Sequence, residues 1–163
     1  MNKNKVNNSL NDVNFKIRGL RTSDHKSLWD WRNNIQTRLN SINVEEVSWS
    51  THEEWVAKFY NSIENKLYIG ELVGGDELIG MVRFEPFSEK EVSQVAINLN
   101  PKYRGLGFGE KLLKKGVKKF SLRSPNALLA LIKSTNLPSI RCFERSGFAL
   151  KYQTGDLLYY FKE

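Results

Sequence analysis

The sequence predicts an α/β (α+β) fold, with one mixed central sheet of about six or seven strands and helices on both of its faces. Three observations carry that prediction. Strand-like and helix-like runs succeed one another from residue 14 onward. The run ALLALIK at 127–133 is apolar without a break, as a strand buried on both faces requires. A strand that ends in NLNPKYRG runs straight into alternate glycines and then an amphipathic, lysine-rich helix.

The elements follow in order. NFKIRGLR (14–21) alternates and reads as a strand. TSDHKSLWDWRNN (22–34) reads as a helix, with Thr22 or Ser23 as N-cap and with Leu28 and Trp31 at helical spacing. HEEWVAKFYNSI (52–63) is a second helix, opened by a capping box of Ser50 with Glu53 or Thr51 with Glu54. KLYIGELV (66–73), the turn GGD and ELIGMVRFE (77–85) form a hairpin. SQVAINL (93–99) is the next strand. A helix then runs from about Gly107 to Ser121, with Phe108, Leu112, Leu113 and Val117 on one stripe. ALLALIK should lie parallel to SQVAINL, through a right-handed crossover. LPSIRCFERSG (137–147) is a short helix, with Pro138 in its first turn and Gly147 at its end. FALKYQTGDLLYYF (148–161) closes the fold as a second hairpin.

The length of 163 residues fits one domain, expected at 14–163, with the polar, Asn- and Lys-rich stretch 1–13 as a disordered tail. Hydrophobic residues make up 40% and charged residues 26%, the balance of a soluble globular chain. No apolar run reaches the roughly 20 residues that span a bilayer, and no signal-peptide core is present. The single cysteine, Cys142, cannot close an internal disulfide, so a cytoplasmic location is expected. The net charge of +7 suits an anionic ligand. Nucleic acid is not expected, because the lysines are scattered and no helix-turn-helix, RNA-recognition or zinc pattern occurs. Two histidines and one cysteine do not supply a metal site.

The chemistry centres on the glycine turn. Gly105, Gly107 and Gly109 follow Arg104 at the start of a helix. Backbone N–H groups in such a turn make an anion-binding concavity, reinforced by the helix dipole. A dinucleotide fingerprint fails, because Glu110 occupies the place of its third glycine. A Walker loop fits in no register.

R-G-L-G-F-G at 104–109 resembles the Q/R-x-x-G-x-G/A coenzyme A loop of the GNAT N-acetyltransferases. N-L-P-S-I-R-C-F-E-R-S-G-F at 136–148 is similar to that family's N-x-x-[AS]-x-x-x-[YF]-x-x-x-G-F segment. The resemblance implies the GNAT fold and transfer of acetyl from acetyl-CoA, the cosubstrate, to a primary amine. It implies that the backbone of Arg104, Gly105, Leu106, Gly107, Phe108 and Gly109 holds the CoA pyrophosphate. Ile97 and Leu99 would lie along pantetheine, where the backbone polarises the thioester carbonyl. Lys111, Lys114 and Lys115 either meet the CoA phosphates or form a solvated face. Asn136, Ser139 and Phe143 fall at i, i+3 and i+7, so they share one helix face toward the cofactor.

Many members carry tyrosine at the position of Phe143, as an acid toward the departing thiolate. Phenylalanine has no proton to give. Ser139, Tyr159 and Tyr160 are the remaining candidates. A base must take the proton of the acceptor ammonium; Glu85 and His52 are candidates, with Gln94 and Asn98 to orient a water. Cys142 lies about 100° round the helix from the cofactor-facing stripe, so direct transfer without an acyl-enzyme is expected.

WDWRNNIQTRLNSINVEEVSWSTHEEW at 29–55 resembles the W-R-N…R…S…I-S…H-x-x-W pattern of nucleotide-sugar N-acetyltransferases. Trp31, Arg32, Arg38 and His52 match, as does Arg83 in IGMVRFE. The implied acceptor is a nucleotide-linked amino sugar, its diphosphate held by Arg32, Arg38 and Arg83. The same region is similar to ribosomal-protein-type N-terminal acetyltransferases. Other small amines, including aminoglycosides, and a non-catalytic acyl-CoA sensor remain open. A homodimer is compatible with the resemblance.

Overall fold

The computed structural model describes residues 14–88, 91–124 and 126–163. The expected tail at 1–13 lies outside them. The order is β1 (Phe15–Gly19), α1 (His25–Asn33), α2 (Ile35–Asn40), α3 (Trp49–Asn61), β2 (Lys66–Leu72), β3 (Leu78–Pro86), β4 (Val92–Leu99), α4 (Phe108–Ser121), β5 (Ala127–Lys133), α5 (Leu137–Arg145), β6 (Ala149–Thr154) and β7 (Leu157–Lys162). The strands form one seven-stranded sheet in the order β1-β2-β3-β4-β5-β7-β6. All neighbours are antiparallel except β4 and β5, which are parallel as the crossover through α4 requires. No helix of the described residues is long and apolar enough to cross a membrane.

Side-chain alternation gives the sheet two buried faces. Val82, Phe84, Val95, Leu128, Ala130 and Ile132 pack with Leu112, Leu113 and Phe120 of α4 and Phe143 of α5. Phe84 and Phe120 stack with ring centroids 4.2 Å apart. On the other face, Leu67, Ile69 and Met81 pack with Leu28 and Trp31 of α1. Gly116 lets α4 lie close on β3: a Cβ there would stand 2.4 Å from Val82 Cγ1.

Three local features differ from the sequence reading. Thr22 and Ser23 do not cap α1. They lie with Asp24 in a 3₁₀ turn, Thr22–Asp24. Asp24, only 1% exposed, accepts from the Arg21 N–H at 2.7 Å and from the Arg18 guanidinium at 2.7 and 2.8 Å. Asp24 occupies the position before α1 without a side-chain bond to it; its carboxylate instead closes the 3₁₀ turn back onto Arg21 and Arg18. The second helix opens earlier than expected. Ser48 is its N-cap and accepts from Thr51 N at 3.2 Å, so Ser50 and Thr51 already lie inside the first turn. A further short helix, α2, follows α1. None of its residues is buried; its apolar pair, Ile35 and Leu39, is exposed, and six residues are too few to show a period.

Candidate active site

The parallel pair β4/β5 is the seam on which the site is built. The strands register only at Val92↔Ala127, Ser93↔Leu128 and Gln94↔Leu129. Beyond Gln94 they splay. β4 stays paired to β3 as far as Leu99↔Gly80, and β5 stays paired to β7 as far as Lys133↔Leu157. The facing edges of 95–99 and 130–133 are thus left without a strand partner. Backbone polar groups on a buried edge need partners, so this notch suits an extended polar ligand.

A cavity of about 390 Å³ occupies the notch and reaches under α1, α2 and the start of α3. β4 lines it with Gln94, Val95, Ala96, Ile97 and Asn98, and β5 with Leu131 and Ile132. Asn136, Ser139 and Phe143 of the second segment all line it, so the expected shared face points inward. Asn136 is also the N-cap of α5, accepting from Ser139 N at 3.3 Å. Met81, Arg83, Arg32, His52 and Trp55 form the other wall.

The glycine turn lies at the far end of β4. Gly105 has φ +72° and Gly107 has φ +80°, left-handed values that a side chain resists. A Cβ at either would stand in open space, so the turn's outer face is clear. Gly107 caps α4 directly. Phe108 contributes only backbone there, since its ring is buried against Phe15 and Tyr103. Gly109 sits against Cys142, Ile97 and Leu99, so it packs α4 rather than clearing a ligand path. The Arg104 side chain turns away from the helix N-terminus, toward α2. Lys114 pairs with Glu110 at 2.6 Å and Lys115 donates to the Phe15 carbonyl at 3.1 Å, so both serve the fold.

The cavity's charges are one-sided. Arg32 and Arg83 line it, and no Asp or Glu does among the described residues. Arg83 ion-pairs with Glu85 and lies 5.6 Å from the Trp55 ring centroid. Burial, with the Arg32 charge adding to it, pushes the Arg83 guanidinium down to about 10. Arg32 gives one Nη to the Asn43 carbonyl at 2.8 Å. Its Nη1 is buried without a hydrogen-bond partner among the described residues.

His52 is 2% exposed, and its ring lies 5.5 Å from that of Trp49 and 5.7 Å from that of Trp55. Its Nε2 is 2.9 Å from the His25 carbonyl. A carbonyl only accepts, so Nε2 carries the hydrogen and Nδ1 keeps the lone pair. Burial holds the imidazole below its ordinary value of 6.5.

Several expected site residues lie outside the cavity lining. Trp31 is 6% exposed and packs in the core with Leu28 and Met81, behind the residues that line the cavity. Arg38 does not line the cavity. It holds the loop after α2, through Glu46 at 2.8 Å and the Val44 carbonyl at 2.9 Å. Glu85 is matched by Arg83 and stands outside the lining. Tyr160 donates to Glu144 at 3.0 Å and Tyr159 stacks on Tyr152, so neither is a lining residue. The Cys142 thiol is also outside, and burial raises it to about 11. Sequence reasoning missed Thr37, Asn43 and Thr51, which line the cavity beside Ser41 of the matched pattern. They are polar residues spread over α2, the loop after it and the first turn of α3, with no shared periodicity to mark them.

Residues 26–148 match the model of the acetyltransferase (GNAT) family. YwnH of Bacillus subtilis (strain 168), assigned as a phosphinothricin acetyltransferase, is 27% identical over 138 residues, covering 80% of this chain and 83% of that protein. The spermidine N-acetyltransferase of Vibrio cholerae, solved with CoA and spermine, superposes with a TM-score of 0.79 at 17% identity, over 91% of this chain and 94% of its own. The aminoglycoside acetyltransferase AAC(6')-Ib, solved with coenzyme A, gives 0.72 at 19% identity, over 91% and 94%. Those likenesses are of fold: both structures superpose on the α/β fold that holds this chain's seven-stranded mixed sheet. Family match, fold and motifs agree: the chain belongs to the GNAT acetyltransferase family and is an N-acetyltransferase.

Proposed function

We propose that the chain transfers acetyl from acetyl-CoA to the primary amine of a small acceptor that carries an anionic group. The acceptor that the sequence pattern favours is a nucleotide-linked amino sugar. The observation that carries the reading is the notch: a parallel strand pair that opens beyond Gln94, with a clear glycine turn at one end and a cavity walled by Arg32 and Arg83 at the other.

The residues fit the cosubstrate. The left-handed glycines aim backbone N–H groups outward at a helix N-terminus, where a pyrophosphate is favoured. The free edge of β4 offers N–H and C=O groups to an amide-bearing arm. When bound, acetyl-CoA supplies an activated acyl group. Asn136 and Ser139 line the notch that would receive that group, and Ser139 offers a hydroxyl for the role of the missing tyrosine.

His52 serves as the base. It lines the cavity, it is held neutral by burial, and its Nε2 hydrogen fixes the tautomer that leaves Nδ1 free to accept. Arg32 and Arg83 hold the acceptor's anionic group, and Arg32 Nη1 is a buried donor in want of an acceptor. The polycations acetylated by the structural neighbours would meet the guanidiniums of Arg32 and of Arg83, the latter paired with Glu85, and no carboxylate among the described lining residues. Phosphinothricin, the substrate assigned to YwnH, joins an amine to oxyanions and shares the favoured charge.

The test is thiol release from acetyl-CoA over a panel of UDP-linked and other nucleotide-linked amino sugars, phosphinothricin, N-terminal peptides, spermidine and kanamycin. Highest kcat/KM with a nucleotide-linked amino sugar is expected. A preference for spermidine or kanamycin would overturn the anionic acceptor. Absence of both acetyl-CoA binding and thiol release would overturn the whole reading.

A further inference from the structure

We infer that Arg104 is a positioning residue: its side chain ties α2, on the acceptor side of the cavity, to the glycine turn, so that coenzyme A at the turn orders α2. The inference rests on the proposed acetyl-CoA reading for the identity of that occupant.

The geometry is specific. Arg104 Nη1 donates to Asn34 Oδ1 at 2.9 Å, and Nη2 donates to Thr37 Oγ1 at 2.6 Å. Nη2 and Nε also lie 3.2 and 3.4 Å from the Leu99 carbonyl, at the end of β4. Asn34 is the N-cap of α2, and the same Oδ1 accepts from Gln36 N at 3.2 Å. Thr37 passes the contact on, donating to Asn98 Oδ1 at 3.4 Å, and Thr37 and Asn98 both line the cavity.

Among the described residues, the ion pair α2 makes is that of Arg38 with Glu46, in the loop that follows it, so it does not tie the helix to the sheet. With no buried residue, α2 gains little from hydrophobic packing. A second polar tie comes from the other arm of the notch, where Lys133 Nζ donates to the Leu39 carbonyl at 3.3 Å. The helix is therefore strapped between the ends of β4 and β5, the two strands that an occupant of the notch must touch. Fixing the turn fixes Arg104, and Arg104 fixes the cap and first turn of α2.

Hydrogen–deuterium exchange on the full chain reads this without any acceptor. The reporters are the amides of Arg38 and Ser41, bonded at 3.0 Å to the carbonyls of Asn34 and Arg38. Coenzyme A should slow them about tenfold in the native chain. In Arg104→Met they should exchange about tenfold faster without ligand and no longer respond to it, and in Asn34→Ala, which lies outside the glycine turn, coenzyme A affinity by calorimetry should change less than about threefold. Asn34→Ala breaks the same tie from the far end and should reproduce the effect; Arg104→Lys should restore it in part. Native-like α2 exchange in Arg104→Met would overturn the proposal. So would a coenzyme A affinity loss beyond about thirtyfold with α2 unaffected, the mark of a direct phosphate contact. Failure of the native chain to bind coenzyme A would sink the proposed acetyl transfer and, with it, the ligand-coupling claim. The ligand-free contrast between native and variant chains would still decide the tie itself.

Discussion

His52 is where burial becomes chemistry. Its ring is enclosed by Trp49 and Trp55, and its Nε2 hydrogen is fixed on the His25 carbonyl. A base must be unprotonated to work, and a lowered value means that the unprotonated form persists to lower pH. The acid limb of kcat/KM should therefore fall below pH 6.5, the ordinary histidine value. His52→Gln should lower kcat by about 100-fold or more and remove that limb. A limb that survives the substitution would move the base elsewhere. Cys142 illustrates the opposite case. Its thiol is raised to about 11 and lies outside the cavity, so it is neither a thiolate at neutral pH nor within reach. Cys142→Ala should retain full turnover, measured as thiol release; complete loss would point to an acyl-enzyme.

The elements show where close approach outweighs intrinsic preference. Gly116 sits within α4, where alanine would favour the helix by about 1 kcal/mol. Against that, a Cβ would meet Val82 Cγ1 at 2.4 Å, on a β-branched side chain that is fully buried. Overpacking of this kind costs about 1–3 kcal/mol. The clash should win: Gly116→Ala is expected to lower the denaturation midpoint by a net loss of about 1 kcal/mol. An unchanged or raised midpoint would mean that α4 moves outward without cost. The elements also show what a sequence can and cannot disclose. Strands β2 through β5 and helices α4 and α5 were legible because burial writes its period into them, as in ALLALIK and the stripe of Phe108, Leu112 and Leu113. The glycine turn was legible because only glycine takes those φ values. Helix α2 was not, since polar ties hold it and such ties leave no periodic mark. Trp31 misled because an aromatic beside arginines looks the same in sequence whether it faces a ligand or the core. Arg104 was read as part of the turn, while its guanidinium serves a helix 70 residues earlier in the chain.

At the scale of the whole molecule, the sheet is two plates. One is β1-β2-β3-β4 and the other is β5-β7-β6, and within each the strands are paired along most of their length. Between them run three registered pairs, from Val92↔Ala127 to Gln94↔Leu129. An occupant of the notch touches both plates, so on the proposed reading coenzyme A should act as a stabiliser. At 100 times its Kd it adds about 2.7 kcal/mol. That corresponds to a rise in Tm of about 5–10 °C for a chain of this size, measurable by calorimetry. No rise at saturation would place the ligand on one plate alone. The short seam has a consequence for the protein in a cell. A book bound with three stitches opens at the spine, and an opened spine is where degradation begins. On the proposed reading, chains left without coenzyme A would part there more often and be cleared sooner, so the amount of enzyme present would itself follow the supply of coenzyme A, acetylated or free.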